Sequence, residues 1–363
     1  MISPDIDRRP IDDNVRAMKR LLITTLPMAA GVAIVAVACW LAILHPRPVD
    51  FMSFWKAARL VADGATAIEL PYPPPFLFFI GPLGLIDFGF AFSLWVVITG
   101  AIYAFASNAP ARLSLANPPA IFNGTIGQNG FLTAAIMLGA AQLVRTRPIV
   151  AGGLFGLMVI KPHLAVLVPI ALLADRQWRA VLAAAASSVG LIMIAAAVFG
   201  PAAYLAFFET GREFAALLQS GTWPWSKLAS VFAFLRWFGI EPPVAYAIHA
   251  AIALAGGFLV WRAWSTDWDC RVAVLAAASI LVTPYLFTYD AVILIAPIAW
   301  LAARSPKSAA LVWLLTLPPL LGAFDLYAGP NTIGIAAIIA LWFLVRSHAK
   351  VAREQLIASP SMT

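Results

Sequence analysis

The feature that most constrains this chain is a succession of long apolar runs separated by short polar stretches. They lie at Leu21–Leu44 and at about 73–86, 88–107, 128–144, 149–174, 178–199, 242–264, 270–284, 287–303, 308–324 and 331–346. A helix needs about twenty apolar residues to cross the hydrocarbon core of a bilayer. A soluble fold would have to keep most of its surface wet, and this chain lacks the polar residues to do so. Of its 363 residues 62% are hydrophobic and only 11% are charged, against about a quarter charged in a soluble domain. Mean hydropathy is +0.88. This balance excludes a cytosolic enzyme, a disordered chain and a nucleic-acid binder. A membrane barrel is excluded as well, because its strands alternate apolar and polar residues. The expected fold is all-α, a polytopic helical membrane protein. Cys39 and Cys270 lie far apart and suggest neither a disulfide framework nor a metal site.

Topology follows from where the charges stop the apolar runs. Residues 1–20 are polar and carry Arg8, Arg9, Arg16, Lys19 and Arg20, so they read as a cytoplasmic tail before a signal anchor. The run Ile149 to Ala174 has Lys161-Pro162-His163 in its middle. A hairpin of two short helices turning at Lys161-Pro162 puts Arg145, Arg147, Arg176 and Arg179 on one side. It also spares Lys161 the bilayer centre, where a charge costs several kcal/mol. Proline disfavours helix in the residue before it, so the turn is plausible. The reading is then about twelve short helices spanning 21–346, with a cytoplasmic tail at 347–363. Arg47, Lys56, Arg59, Arg112, Lys161, Arg212, Lys227 and Arg236 fall outside, and the other sixteen of 24 basic residues fall in the cytoplasm. The +7 net charge is thus a topology signal, and an inner (plasma) membrane location is expected.

The outer segments are the chemically rich ones. The first outer loop, 45–75, holds Asp50, an amphipathic stretch from Phe51 to Ala62, and Pro71-Tyr72-Pro73-Pro74-Pro75. Next come Ala109–Gly130 with Gly127-Gln128-Asn129-Gly130, then Lys161-Pro162-His163, then the long outer segment 200–241 with Trp223-Pro224-Trp225-Ser226-Lys227. Thr283–Asp290 and Phe324–Asn331 complete the set. Polar, glycine-rich backbone between apolar helices cannot face lipid, so these six stretches are expected to line one outer-face cavity.

Several of these motifs, in their order and spacing, resemble a known family. They are Asp50-Phe51 with Trp55, Tyr72-Pro73-Pro74, Gly127-Gln128-Asn129, Ala151-Gly152-Gly153-Leu154-Phe155-Gly156-Leu157, Lys161-Pro162, Pro284-Tyr285 and Tyr289-Asp290. The chain resembles the GT-C class of membrane glycosyltransferases, and within it glycosyltransferase family 87, the polyprenyl-phosphate-mannose-dependent α-mannosyltransferases, over about residues 45 to 300. The resemblance implies transfer of a hexose from a polyprenyl-phosphate-linked sugar donor to an acceptor, a glycolipid or glycan, on the extracytoplasmic face. It also implies an essential acid in the first outer loop, and here only Asp50 fits. The remaining partners are membrane lipids, with no nucleic acid and no cofactor.

Each residue has a plainer reading beside the functional one. Asp50 is the expected general base, taking the acceptor's proton in a single inverting displacement; it is also a natural helix N-cap. Lys161 and His163 are expected to hold the donor phosphate, whose developing charge needs a fixed cation; a lysine near an interface can instead snorkel to headgroups. Tyr72, Gln128, Asn129, Tyr289 and Asp290 are expected to contact substrate. Capping serves Asn129 nearly as well, interfacial anchoring serves Tyr72, and pairing with Lys161 serves Asp290 at least as well. Arg212, Lys227 and Arg236 have lipid headgroups as default partners. No Cys/His spacing or Walker loop is present, so no metal is expected. A transporter or lipid flippase is the competing reading, although no internal repeat supports it.

Overall fold

The computed structural model describes residues 50–358 apart from 66–67, 264–266 and 324–325. The apolar run Leu21–Leu44, the tail 1–20 and Asp325 therefore lie outside the described residues. The described chain is helical, and its one bridge between extended segments joins Leu228 to Phe287. Among the described residues, three helices are long and apolar enough to cross a membrane: Phe88–Ala106, Trp178–Leu218 and Pro242–Arg262. Shorter apolar helices accompany them. Val97, Phe105, Leu182, Met193, Leu254 and Phe258 are exposed on the three long helices. Such apolar belts suit lipid and would be a liability in water. The architecture is that of a polytopic membrane protein.

Local chemistry sets the helix boundaries. Helix α1 is Phe51–Ala62 and α2 is Phe88–Ala106. Asp87 caps α2, its carboxylate accepting from the Phe90 amide at 3.1 Å. Proline at the first turn opens α3 (Pro118–Ile126), and Gly127 ends it in the left-handed conformation, φ 69°. Helix α4 is Gly130–Leu143 and α5 is Pro148–Gly156, again with proline leading. After Lys161, Pro162 starts a short turn that leads into α6, Val168–Ala174. Helix α7, Trp178–Gln219, kinks at Gly200-Pro201. Then follow α8 (Val231–Trp237), α9 (Pro242–Arg262), α10 (Trp268–Val282), α11 (Ile295–Arg304) and, last, Ile333–Ala358.

The reversal expected at Lys161 is present. Gly152 packs on Ala180 and Gly156 on Ala184 and Ser187, so α5 and the start of α7 run parallel. The chain between them must turn twice, once at Lys161-Pro162 and once at Asp175–Gln177. Glycines four apart let the two backbones approach closely; Ser187 and Ser188 donate to the Gly153 and Gly156 carbonyls at 2.9 and 3.2 Å. The Arg145 guanidinium lies over Trp268 at 4.7 Å and Arg271 pairs with Asp175 at 3.0 Å, so these cations share one end of the bundle.

Two topological expectations are corrected. The run 73–86 does not traverse the bundle. It starts with Phe76 against Phe54, ring centroids 5.0 Å apart. It ends with Arg59 donating to the Gly84 carbonyl at 3.2 Å and Trp55 to the Ile86 carbonyl at 3.0 Å. Prolines 73, 74, 75 and 82 and glycines 81 and 84 break it into short helical pieces that fold back along α1. Helix α2 consequently starts beside Phe51. Gly100 faces Phe131 and Gly139 faces Ala106, so α2 runs parallel to α4, toward the Arg145 end. Arg112, expected with the outer cations, lies at that end instead, and only the Gln128-Asn129 end of Ala109–Gly130 returns to the Asp50 end.

Candidate active site

At the Asp50 end the bundle opens into a cleft of about 1130 Å³. Its walls carry residues from all six polar stretches, among them Asp50, Tyr72, Gln128, Lys161, His163, Trp223, Lys227, Tyr289 and Asn331. An aromatic cluster fixes one wall: Phe51, Phe54, Tyr72, Phe76 and Phe92 meet at centroid distances of 4.9 to 6.3 Å. Such pairs each add about 1 kcal/mol beyond the area that they bury.

Asp50 sits at the N-cap position of α1, yet its side chain caps nothing. Its Oδ2 accepts instead from Gln128 Nε2 at 3.1 Å. Gln128 Oε1 accepts from the Tyr72 hydroxyl at 3.0 Å and from the Asn129 amide at 3.2 Å. Tyr72 and Tyr289 share a hydroxyl contact of 3.2 Å. Beyond it lies Lys161, 2% exposed, whose Nζ bonds Asn129 Oδ1 at 2.8 Å and pairs with Asp290 Oδ1 at 2.5 Å. The ammonium also stands 4.4 Å over the Tyr289 ring. His163 Nε2 is 4.0 Å from Asp290 Oδ2. All eight residues expected at the site therefore meet in one connected group.

This convergence depends on two close approaches. A Cβ on Gly127 would lie 2.7 Å from Phe51 Cβ, and a Cβ on Gly130 would lie 2.1 Å from the Tyr289 carbonyl. Glycine at both positions lets the turn carrying Gln128 and Asn129 slot between α1 and the helical turn that opens at Thr288.

The arrangement separates two kinds of cation. Lys161 is buried and matched by Asp290. Lys227 is exposed, stands 5.6 Å from the Trp223 ring and has no acidic partner among the described residues. The bridge between Leu228 and Phe287 brings it beside the Tyr289 segment. Thr288 and Asn331 were not singled out from the sequence. Asn331 Nδ2 donates to Thr288 Oγ1 at 2.8 Å and to the Ser226 carbonyl at 3.2 Å, tying three cleft segments together. An asparagine at the start of an apolar run was the one available signal. Burial and the neighbouring Tyr246 hydroxyl push the Tyr285 phenol up to about 12, so it stays protonated on the cleft wall.

No curated protein and no solved structure matches the chain. The model of glycosyltransferase family 87 matches residues 70–288, which takes in Tyr72, Gln128, Asn129, Lys161, His163 and Lys227 and stops one residue short of Tyr289. That is more than half of the sequence, and the chain belongs to glycosyltransferase family 87.

Proposed function

We propose that this glycosyltransferase moves a hexose, mannose by family resemblance, from a polyprenyl-phosphate donor to an acceptor hydroxyl with inversion. The acceptor is a glycolipid or glycan. The observation that carries this reading is an acid not used by its own helix: Asp50 stands at the N-cap of α1 but turns its carboxylate to the cleft. Oδ2 is held by Gln128, and Oδ1 has no partner among the described residues. The acceptor hydroxyl gives its proton to Asp50 Oδ1 while its oxygen attacks the anomeric carbon. The bond from that carbon to the phosphate oxygen breaks on the opposite face, and polyprenyl phosphate leaves with the electron pair. One displacement inverts the centre, so a β-linked donor yields an α-linked product.

Charge matching supports a division of labour around the phosphate. Lys161 and His163 were the cations expected there. Lys161 already has Asp290, so it contributes a fixed dipole more than a free charge. His163, 36% exposed, and Lys227 are the groups able to meet a new anion. The apolar patch Phe214, Leu218, Trp223 and Phe287 beside Lys227 suits the start of an isoprenoid chain. Arg145, Arg271 and Arg304 stand at the end opposite the cleft, which favours a cleft facing the extracytoplasmic side of the inner membrane. Transport, the competing reading, is set aside because the family is one of glycosyltransferases.

The test is transfer from radiolabelled polyprenyl-phosphate-mannose in membranes holding the wild type or Asp50→Asn. Loss of at least about 100-fold is expected for the removal of a general base. Equal transfer by both would reject Asp50 as the base.

A further inference from the structure

Resting on the assignment of Asp50 as base, we infer that Gln128 is a positioning residue, which aims the Asp50 carboxylate rather than binding sugar. The amide has only one orientation that satisfies its neighbours. Two donors, the Tyr72 hydroxyl and the Asn129 N–H, converge on one end of the side chain at 3.0 and 3.2 Å. That end must be the carbonyl oxygen. The NH2 group is thereby directed at Asp50 Oδ2, 3.1 Å away. Because the Tyr72 proton goes to Gln128, the Tyr72 oxygen accepts from Tyr289. The donors run in one direction, from Tyr289 to Tyr72 to Gln128 to Asp50.

Gln128 is 7% exposed, and one proton and both lone-pair directions of its amide are already committed. Little of it is left for a sugar hydroxyl. Asp50, by contrast, would rotate freely at its exposed position without this bond. Holding Oδ2 leaves Oδ1 as the acceptor-facing oxygen, the same logic by which an orienting partner fixes a catalytic base. A misplacement of about 1 Å at a reacting group costs on the order of 100-fold in rate.

The test measures kcat and donor KM for wild type, Gln128→Met, Tyr72→Phe and Asp50→Asn, using radiolabelled polyprenyl-phosphate-mannose and purified protein checked for monodispersity. Gln128→Met is expected to lower kcat about 10- to 100-fold with KM within about twofold. Tyr72→Phe leaves both Asp50 and Gln128 in place and should show the same change, smaller. It serves as the folded control if Gln128→Met is unstable. A raised KM with unchanged kcat would make Gln128 a sugar contact and overturn the inference, as would wild-type kinetics in both variants. Full activity in Asp50→Asn would instead remove the base itself, a separate failure visible in that variant alone.

Discussion

At the scale of single residues, the site is a lesson in which polar atoms are spent. Asp50, Asn129 and Asp290 each had a structural role available. Asp50 declined its cap, Asn129 gave its side-chain oxygen to Lys161, and Asp290 took the Lys161 charge. The last pair carries a stability prediction. Both side chains are almost wholly buried, and removing one partner strands the other's charge, at a cost of roughly 3–5 kcal/mol. Lys161→Met should therefore lower the thermal unfolding temperature in detergent markedly. Lys161→Met combined with Asp290→Asn should recover much of the loss. Equal melting of the single and double variants would show that the pair is not coupled. The identities of these residues were legible from the sequence as polar groups in apolar surroundings. Their partners were not, because Asp50 and Gln128 are 78 positions apart, and Tyr72 and Tyr289 are 217 apart.

At the scale of elements, the glycines of α5 discriminate sharply. Gly152 and Gly156 touch α7, and a Cβ on Gly152 would lie 2.2 Å from the Ala180 carbonyl oxygen. Gly153, between them in sequence, has nothing within 4 Å. Gly152→Val should lower the unfolding temperature in detergent and reduce the yield of folded protein, whereas Gly153→Ala should leave both near wild type. The hairpin at Lys161 was readable because proline and a charge interrupt one long apolar run. The fate of 73–86 was not. Its composition matches a membrane span, but proline and glycine divide it into turns too short to cross, and contacts with Trp55 and Arg59 fold it back on α1. Hydropathy reports what a segment avoids; it says nothing about which way the segment runs.

At the scale of the molecule, the two ends differ in kind. One holds the cleft, with sparse charges in a connected group. The other holds Arg145, Arg271 and Arg304, each over an aromatic ring or paired with an acid. If the cleft faces away from the cytoplasm, single cysteines will report it in a background lacking Cys39 and Cys270. Ala328→Cys, on the cleft wall, should react with an impermeant maleimide in intact spheroplasts. Thr146→Cys, at the far end, should react only after lysis. The reverse pattern would invert the proposed orientation.

The amino-acid sequence by itself determined the solvent of this protein, its helical class, the reversal at Lys161 and the residue types from which a sugar-transfer site could be built. These are consequences of local composition: apolar length, proline and the cost of charge in lipid act within a few residues of one another. Tertiary structure decided the rest. It folded 73–86 back, sent α2 and Arg112 to the basic end, matched Lys161 to Asp290 and left Lys227 without an acidic partner among the described residues. It also joined Gln128 to Asp50 by a hydrogen bond across 78 positions. Those outcomes depend on packing between segments distant in sequence, where a glycine's missing Cβ or the direction of a single amide selects the contact.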